Sequence, residues 1–185
     1  MQGMAPAPEW QVSQWFNTAQ ALDLEQLRGK VVLLHAFQML CPGCVSHGIP
    51  QAERVHRQYA DQGVAVVGLH TVFEHHAVMT PSALQAFLSE YRISHPVGVD
   101  TAVEGEAIPA TMRSYRMQGT PTLVLIDRTG RRRLQEFGSM DDLRLGVLLG
   151  RLLAEQGGKK EEEEGAVPAS GAAPVDGCDA QGCRL

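Results

Sequence analysis

The chain has 185 residues, of which 44% are hydrophobic and 20% charged, and its formal net charge is −5. This length suits one ordinary domain with tails. The acidic balance gives no basic field that would attract nucleic acid or an anionic membrane, and no apolar run approaches the ~20 residues that cross a bilayer. We therefore expect no nucleic-acid partner and no membrane span.

The first half of the chain alternates strand and helix patterns. Residues 1–9 are predicted to be a flexible leader, and the globular region is predicted to run from 10 to 156. The run KVVLLHAF at 30–37 is typical of a strand buried on both faces. A helix to about residue 62 is predicted next, because Ile49, Ala52, Val55 and Tyr59 share one face.

The second half continues the same alternation. The predicted elements are a strand at 64–71, a helix opened by Thr80 and Pro81, a strand at 95–100, a short helix at 110–117, a strand at 122–127, a return strand at 132–138 and a last helix capped at Ser139. This order predicts an α/β domain with a mixed sheet. From 157 to 185 the chain is charged and then rich in Pro, Ala and Gly, which predicts a flexible tail.

Two cysteines, Cys41 and Cys44, form a CPGC motif directly after the first buried strand. Covalent haem attachment is excluded, because Val45 stands where that motif needs histidine. A closed zinc site needs four ligands, and Cys41, Cys44 and His47 supply three at most. A disulfide that closes a two-residue loop would restrain little of the unfolded chain. The remaining interpretation is a dithiol that exchanges reversibly.

The position of Cys41 supports this interpretation. Pro42 is suited to a first helical turn, so Cys41 is expected at a helix N-terminus, where the dipole favours an anion. The thiolate is the attacking species in disulfide exchange. We predict that Cys41 attacks a disulfide and that Cys44, one turn on and less exposed, resolves the mixed disulfide. Such exchange uses no cofactor, and we predict neither a cofactor nor a metal.

Several motifs together resemble a known family. The strand, CPGC and helix are followed much later by Gly119-Thr120-Pro121-Thr122 and the strand TLVLID. This pattern, with the stretches LRGKVVLLHAF, VGLHT and YRISHPVGVD, resembles the thioredoxin-like superfamily over residues 10–155. More narrowly it is similar to the TlpA/ResA branch and to the thioredoxin-like domain of DipZ-type proteins.

The resemblance implies a thioredoxin fold, with a central mixed sheet flanked by helices, and thiol-disulfide oxidoreductase activity. It also implies that the Thr120–Pro121 bond is cis and lies against the cysteine pair, and that the Thr120 backbone pairs with an extended client peptide. The implied partners are protein or small-molecule disulfides and dithiols, together with an upstream redox partner. We expect a monomer.

The chain departs from the family pattern around the first cysteine. Many relatives have an aromatic residue before that cysteine, and here it is Leu40. Where thioredoxins have a buried Asp, and TlpA-like proteins often Asn, this chain has His35. A neutral His35 could accept the proton of Cys44, or it could be a core histidine bonded to neighbouring backbone. Glu74 is the nearest match to the functional glutamate of ResA-like proteins, and the alternative is an ordinary loop carboxylate.

Two other functions are compatible with some features of the same sequence. A thiol peroxidase of the peroxiredoxin kind has threonine and proline where this chain has Gln38 and Leu34. A binding module would hold metal, or a client peptide along the Thr120-Pro121 edge, without turnover. His70, His75 and His76 could suggest metal, but unrelated loop histidines are the commoner explanation. Disulfide exchange remains the prediction, with these two alternatives.

A second cysteine pair, Cys178 and Cys183, ends the tail. Some 22 residues separate it from Gln156, and a flexible chain of that length spans roughly 25–30 Å. One interpretation is a tethered redox pair that exchanges with Cys41 and Cys44 at high effective concentration. A metal-binding tail and an inert exposed disulfide are the alternatives.

The N-terminal sequence bears on the compartment. MQGMAPAPEW lacks the basic and apolar regions of a signal peptide. The chain as given is predicted to be cytoplasmic, and a mature or trimmed periplasmic form would have the same sequence features. Close cysteine pairs in a cytosolic chain of this size more often indicate redox chemistry or metal than a structural disulfide framework.

Overall fold

A mixed six-stranded sheet forms the centre of the molecule. The computed structural model describes residues 5–155 and two short strands near the C-terminus. The strands are β1 (Val12–Phe16), β2 (Val31–Phe37), β3 (Val64–His70), β4 (Val97–Asp100), β5 (Thr122–Ile126) and β6 (Arg132–Phe137). The α-helices are α1 (Ile49–Tyr59), α2 (Pro81–Glu90), α3 (Ala110–Ser114) and α4 (Asp142–Ala154), and the two terminal strands are β7 (Cys178–Asp179) and β8 (Gly182–Cys183). The prediction of a thioredoxin fold with a mixed sheet is confirmed.

The strand order places the ends of β2 and β5 side by side. The sheet runs β1-β4-β3-β2-β5-β6, with β2 parallel to β3 and antiparallel to β5. Every residue of β2 is buried, as its continuous apolar run predicts. Ala36 lies opposite Thr122, so the chain that leaves β2 and the chain that enters β5 meet at one edge of the sheet.

Two apolar layers cover the faces of the sheet. On one face, Val32, Leu34 and Ala36 pack with residues that include Tyr115, which is 1% exposed. On the other face, Val31 and Leu33 pack against α1 and α4. Because successive side chains of a strand point to opposite faces, a single strand supplies both layers.

Three details differ from the sequence predictions. The edge strand β1 was not predicted, because VSQWF shows no clean alternation of buried and exposed residues. Helix α4 is capped by Asp141 rather than Ser139, and the Asp141 carboxylate accepts hydrogen bonds from the backbone N–H groups of Leu143 and Arg144. The predicted first helix begins with a π-helical turn at Cys44–Gly48.

Residues 5–8, within the stretch predicted as a flexible leader, pack against the sheet. Ala7 is buried, and its N–H donates to the carbonyl of Gly130. The Tyr115 hydroxyl donates to the Pro8 carbonyl at 2.7 Å. These contacts hold residues 5–8 to the sheet, because they satisfy backbone groups of both partners.

Within the described residues, no helix is long and apolar enough to cross a membrane. The predicted tether between Gln156 and Cys178 lies outside the described residues. In the two terminal strands the backbone of Cys178 is paired with that of Cys183 in antiparallel register. Their side chains also lie outside what the structure describes.

Candidate active site

The first cysteine pair lies where β2 gives way to the first helix. Cys44 is fully buried, whereas Cys41 is partly exposed. The π-helical turn at Cys44–Gly48 directly precedes Pro50. A proline in a regular helix lacks the N–H and clashes with the carbonyl four residues earlier, so the wider turn accommodates it. The two cysteines are therefore held in the first turns of a helical segment, as predicted.

Hydrogen bonds distinguish the two sulfurs. The backbone N–H of Cys44 donates to Cys41 Sγ at 3.3 Å, and Cys41 Sγ lies 3.5 Å from the carbonyl oxygen of Thr120. Burial, and then the neighbouring Cys41, raise the pKa of the Cys44 thiol to about 12. At neutral pH the Cys44 sulfur is consequently a thiol, and it needs a proton acceptor before it can attack.

The Thr120–Pro121 loop packs against this pair. Its peptide bond is cis, which confirms what the family resemblance implies. A Cβ built on Gly43 would lie 3.4 Å from Pro121 Cδ, so the proline ring contacts the CPGC backbone directly. The Gly138 N–H donates to the Pro121 carbonyl at 2.8 Å, which fixes the loop to the end of β6.

His35 lies beneath the cysteine helix. It is 2% exposed, and neither ring nitrogen has a hydrogen-bond partner among the described residues. Burial, together with the nearby His95, lowers the pKa of His35 to about 3, so the ring is neutral. A Cβ on Gly48 would lie 2.3 Å from His35 Nε2 and 3.3 Å from Pro121 Cβ. His35 and Pro121 thus meet at Gly48, one helical turn beyond Cys44, although no hydrogen bond joins His35 to Cys44.

Gln38 connects the cysteine loop to Glu74, a role that the sequence did not predict. Gln38 is 1% exposed, and its Nε2 donates to Glu74 Oε1 at 3.2 Å. Its Oε1 accepts from the backbone N–H of Phe73, and its carbonyl accepts from the N–H of Cys41. The signal available in sequence was a long polar side chain directly after a fully buried strand.

The exposed rim of the site is apolar on two sides. Leu40 is 56% exposed next to Cys41, and Phe137 is 54% exposed at the end of β6. A Cβ on Gly119 would lie 2.8 Å from Phe137 Cε2, so the ring lies on the chain that leads to Pro121. The family's aromatic residue before the first cysteine is absent here, and Phe137 supplies an aromatic ring from another strand.

His70, His47 and the adjacent His75 and His76 lie in different surroundings. His70 is buried, and burial lowers its pKa to about 4, whereas His75 and His76 are exposed. His47 is bonded to Ser46 on the surface. Within residues 5–155, no group of three or more His, Cys, Asp and Glu side chains is placed to hold a metal ion.

A buried polar cluster behind the site also escaped prediction. Glu53 on α1 accepts from His95 Nδ1 at 2.8 Å and from the N–H and hydroxyl of Ser94 at 3.0 and 2.6 Å. These donors, with Arg57, outweigh the effect of burial and lower the pKa of Glu53. The cluster ties α1 to the segment that enters β4.

Comparison with known proteins accords with this geometry. The Redoxin family model matches residues 3–141. The chain belongs to the Redoxin family. A crystal structure of a thiol-disulfide isomerase from Corynebacterium glutamicum is 54% identical, with a TM-score of 0.79 over 82% of this chain and 98% of that one. A thioredoxin-like superfamily protein is 55% identical, with a TM-score of 0.80 over 83% of this chain and 99% of that one.

Curated relatives agree with this Redoxin assignment. The Mycobacterium bovis protein DipZ is 33% identical over 132 residues, which are 70% of this chain and 18% of DipZ. The thiol-disulfide oxidoreductase ResA of Halalkalibacterium halodurans is 25% identical over 60% of this chain and 56% of ResA. The chain therefore spans only a minor part of the DipZ relatives. Its fold is thioredoxin-like, and the proteins it is similar to include a thiol-disulfide isomerase and a thiol-disulfide oxidoreductase.

Proposed function

We propose that the protein exchanges electrons with client disulfides through Cys41 and Cys44. The observation that carries this proposal is the asymmetry of the pair. Cys41 Sγ is partly exposed and accepts a backbone N–H, whereas Cys44 is fully buried behind it. A client can therefore reach only the Cys41 sulfur, and the Cys44 sulfur can react only after the mixed disulfide has formed.

The proposed reaction has two balanced steps. The Cys41 thiolate attacks one sulfur of the client disulfide, forms a mixed disulfide and releases the other client sulfur as a thiolate. Cys44 then loses its proton and attacks Cys41 Sγ, which releases the second client thiolate and leaves a Cys41–Cys44 disulfide. Two electrons pass from the dithiol to the client, and an upstream dithiol restores the reduced pair. The reverse sequence oxidises a client.

Neighbouring groups would serve this reaction. The ring nitrogens of His35 have no hydrogen-bond partner among the described residues, and we propose this ring as the acceptor of the Cys44 proton. Glu74 would handle protons at the surface, and Gln38 would hold its carboxylate in place. The Thr120 backbone would pair with an extended client peptide. The exposed side chains of Phe137 and Leu40 would contact apolar client residues.

The test is trapping of a client. Incubation of Cys44→Ser with oxidised insulin should accumulate a mixed disulfide at Cys41, detectable by mass spectrometry, because the resolving sulfur is missing. Cys41→Ser should abolish insulin reduction with dithiothreitol as electron donor. The matched control is Cys178→Ser/Cys183→Ser, which should still reduce insulin in this assay. Full activity of Cys41→Ser would refute the proposal.

We also propose that Cys178 and Cys183 form a tethered redox pair that exchanges with the first pair. The backbones of the two residues lie opposite each other in β7 and β8. Directly opposed residues of antiparallel strands have Cα atoms about 4.5–5.5 Å apart, within the range that a disulfide spans. The predicted 22-residue tether is long enough to reach the site.

The relay has its own test. Oxidised Cys44→Ser protein, digested and analysed without reduction, should yield a Cys41–Cys178 or Cys41–Cys183 peptide. The ratio of that peptide to unmodified peptide should not depend on protein concentration, because the exchange is intramolecular. Absence of both peptides across oxidants would exclude the relay and leave the chemistry of Cys41 and Cys44 unaffected.

A further inference from the structure

An arginine-lined cavity lies at the beginning of the edge strand β6. Its volume is ≈ 390 Å³, and its lining includes Tyr115, Arg116, Arg132, Arg133 and Gln135. Arg132 is held in place because it donates to Gln135 Oε1 at 2.8 Å and lies over the Tyr115 ring, 5.9 Å from the centroid. Among residues 5–155, no ion pair joins Arg116 or Arg132 to a carboxylate. Two positive charges of an acidic protein therefore have no carboxylate partner there within the described part of the chain.

The continuous described part of the chain ends at Glu155, which contacts one arginine of this cavity. The carboxylate of Glu155, directly after α4, accepts two hydrogen bonds from Arg133, one of them from Nη2 at 2.7 Å. Arg133 itself lines the cavity. Six residues later the sequence has four consecutive glutamates, Glu161–Glu164, preceded by Lys159 and Lys160. Six residues span at most about 20 Å, so the acidic run starts within reach of the cavity.

We propose that the arginine cavity is the docking site of this chain's own acidic run, Glu161–Glu164. The guanidinium groups of Arg116 and Arg132 bind its carboxylates, since guanidinium and carboxylate match in charge and hydrogen-bonding geometry. The Glu155–Arg133 contact brings the run to the cavity and makes the binding intramolecular. The contact involves no electron transfer, so it stands or falls separately from the proposed dithiol chemistry.

This docking would direct the tail along the edge of the sheet. Strand β6 leads from Arg132 to Phe137, a distance of about 17 Å at ~3.4 Å per residue. Its far end contacts Pro121 through the Gly138 N–H. Cys178 follows Glu164 by fourteen positions, and a flexible segment of that length spans roughly 20 Å. The docked run would thus tether the second cysteine pair near the first.

The test measures protection of the acidic run from a glutamate-specific protease in the full-length, reduced protein. Cleavage after Glu161–Glu164 is followed by mass spectrometry at about 0.02 M and about 0.5 M NaCl, because salt screens exposed ion pairs. A synthetic peptide of residues 155–170, cleaved in parallel, corrects for the effect of salt on the protease. We expect the corrected rate to rise about fivefold with salt, since cleavage follows the undocked population.

The matched variants are Arg116→Glu and Arg92→Glu. Both arginines are exposed and have a positive φ, 53° and 52°, but Arg92 lies away from the cavity. Arg116→Glu should abolish the salt effect, and Arg92→Glu should retain it. Adding Glu162→Arg and Glu163→Arg to Arg116→Glu should restore it, because the charges are exchanged. If circular dichroism shows that Arg116→Glu is unfolded, Arg116→Gln is used in its place.

Three results would overturn the proposal. One is a corrected rate that does not change with salt in the wild-type chain. Another is equal loss of the salt effect in Arg92→Glu and Arg116→Glu, which would indicate a general charge effect. The third is protection that increases with protein concentration, because the run would then occupy the cavity of a second copy.

Discussion

Individual residues of the site are placed by contacts that span long stretches of sequence. Gln38 and Glu74 are 36 residues apart, and Glu53 and His95 are 42 apart. Motif spacing cannot reveal such partners, because they meet only after the strands are ordered. Cys41, Cys44 and Pro121 could be predicted because their chemistry fixes them to a strand end, a helix start and a loop. Gln38 could not, since nothing local indicates which way its amide turns.

His35 leads to a prediction about acid stability. Its pKa falls to about 3 in the folded protein, against 6.5 in the unfolded chain. Below pH 6.5 His35 binds a proton in the unfolded state but not in the folded state, so stability decreases as the pH falls. Between pH 6.5 and 5 the loss is about 2 kcal/mol for this residue. Urea unfolding at pH 7 and pH 5 measures this loss. The free energy of unfolding should fall less between these pH values in His35→Asn than in the wild-type chain, by about that amount.

The control for this prediction is His47→Asn, because His47 is exposed on the surface. It should leave the decrease between pH 7 and pH 5 unchanged. An identical pH dependence for His35→Asn and the wild-type chain would contradict a neutral, buried His35.

Elements were easier to predict than their ends. Buried strands such as β2 and β5 can be recognised in the sequence as continuous apolar runs. Thr80 caps α2 as predicted, and its hydroxyl accepts a hydrogen bond from the Ala83 N–H. Strand β1 was missed because an edge strand is partly exposed to solvent and its residues need not be apolar. The π-helical turn before α1 was missed because Pro50 disturbs the helix only through its clash with the preceding turn.

The first helical segment yields a prediction that compares two glycines. A Cβ on Gly48 would lie 2.3 Å from His35 Nε2, whereas one on Gly43 would make an ordinary contact of 3.4 Å with Pro121. Gly48→Ala should therefore destabilise the fold by about 1–3 kcal/mol, as overpacking does. Gly43→Ala should be neutral or stabilising by up to about 1 kcal/mol, because alanine favours helix.

Urea unfolding of both glycine variants measures the difference. Gly48→Ala should cause little destabilisation when it is introduced into the His35→Ala variant, because the ring that obstructs the new Cβ is absent there. Equal stabilities of Gly43→Ala and Gly48→Ala would contradict the close packing of His35 beneath the helix.

At the scale of the whole molecule, the start of the chain helps to close the fold. Residues 5–8 bond to the turn between β5 and β6 and to Tyr115, which also receives the indole N–H of Trp10. Sequence predicted a leader there because the segment is short and rich in proline. Its carbonyl and N–H groups nevertheless find partners that lie more than 100 residues away.

Deletion of residues 2–8 should therefore destabilise the protein by about 2–4 kcal/mol, since three hydrogen bonds of roughly 1 kcal/mol each and the burial of Ala7 are lost. Deletion of residues 2–4 alone serves as the control and should leave stability unchanged. Urea midpoints that coincide for the two deletions would show that residues 5–8 contribute nothing to folding.

The antiparallel pairing of β2 with β5 has a consequence for heat inactivation. Ala36 and Thr122 are opposite each other, so the cysteine loop and the Pro121 loop are carried by neighbouring strands about 4.8 Å apart. Their spacing is set by the ladder of hydrogen bonds between these buried strands rather than by either loop. The two loops of the proposed catalytic centre can separate only when the middle of the sheet opens. Redox activity and sheet content should accordingly be lost in one thermal transition, with no inactive folded species preceding it.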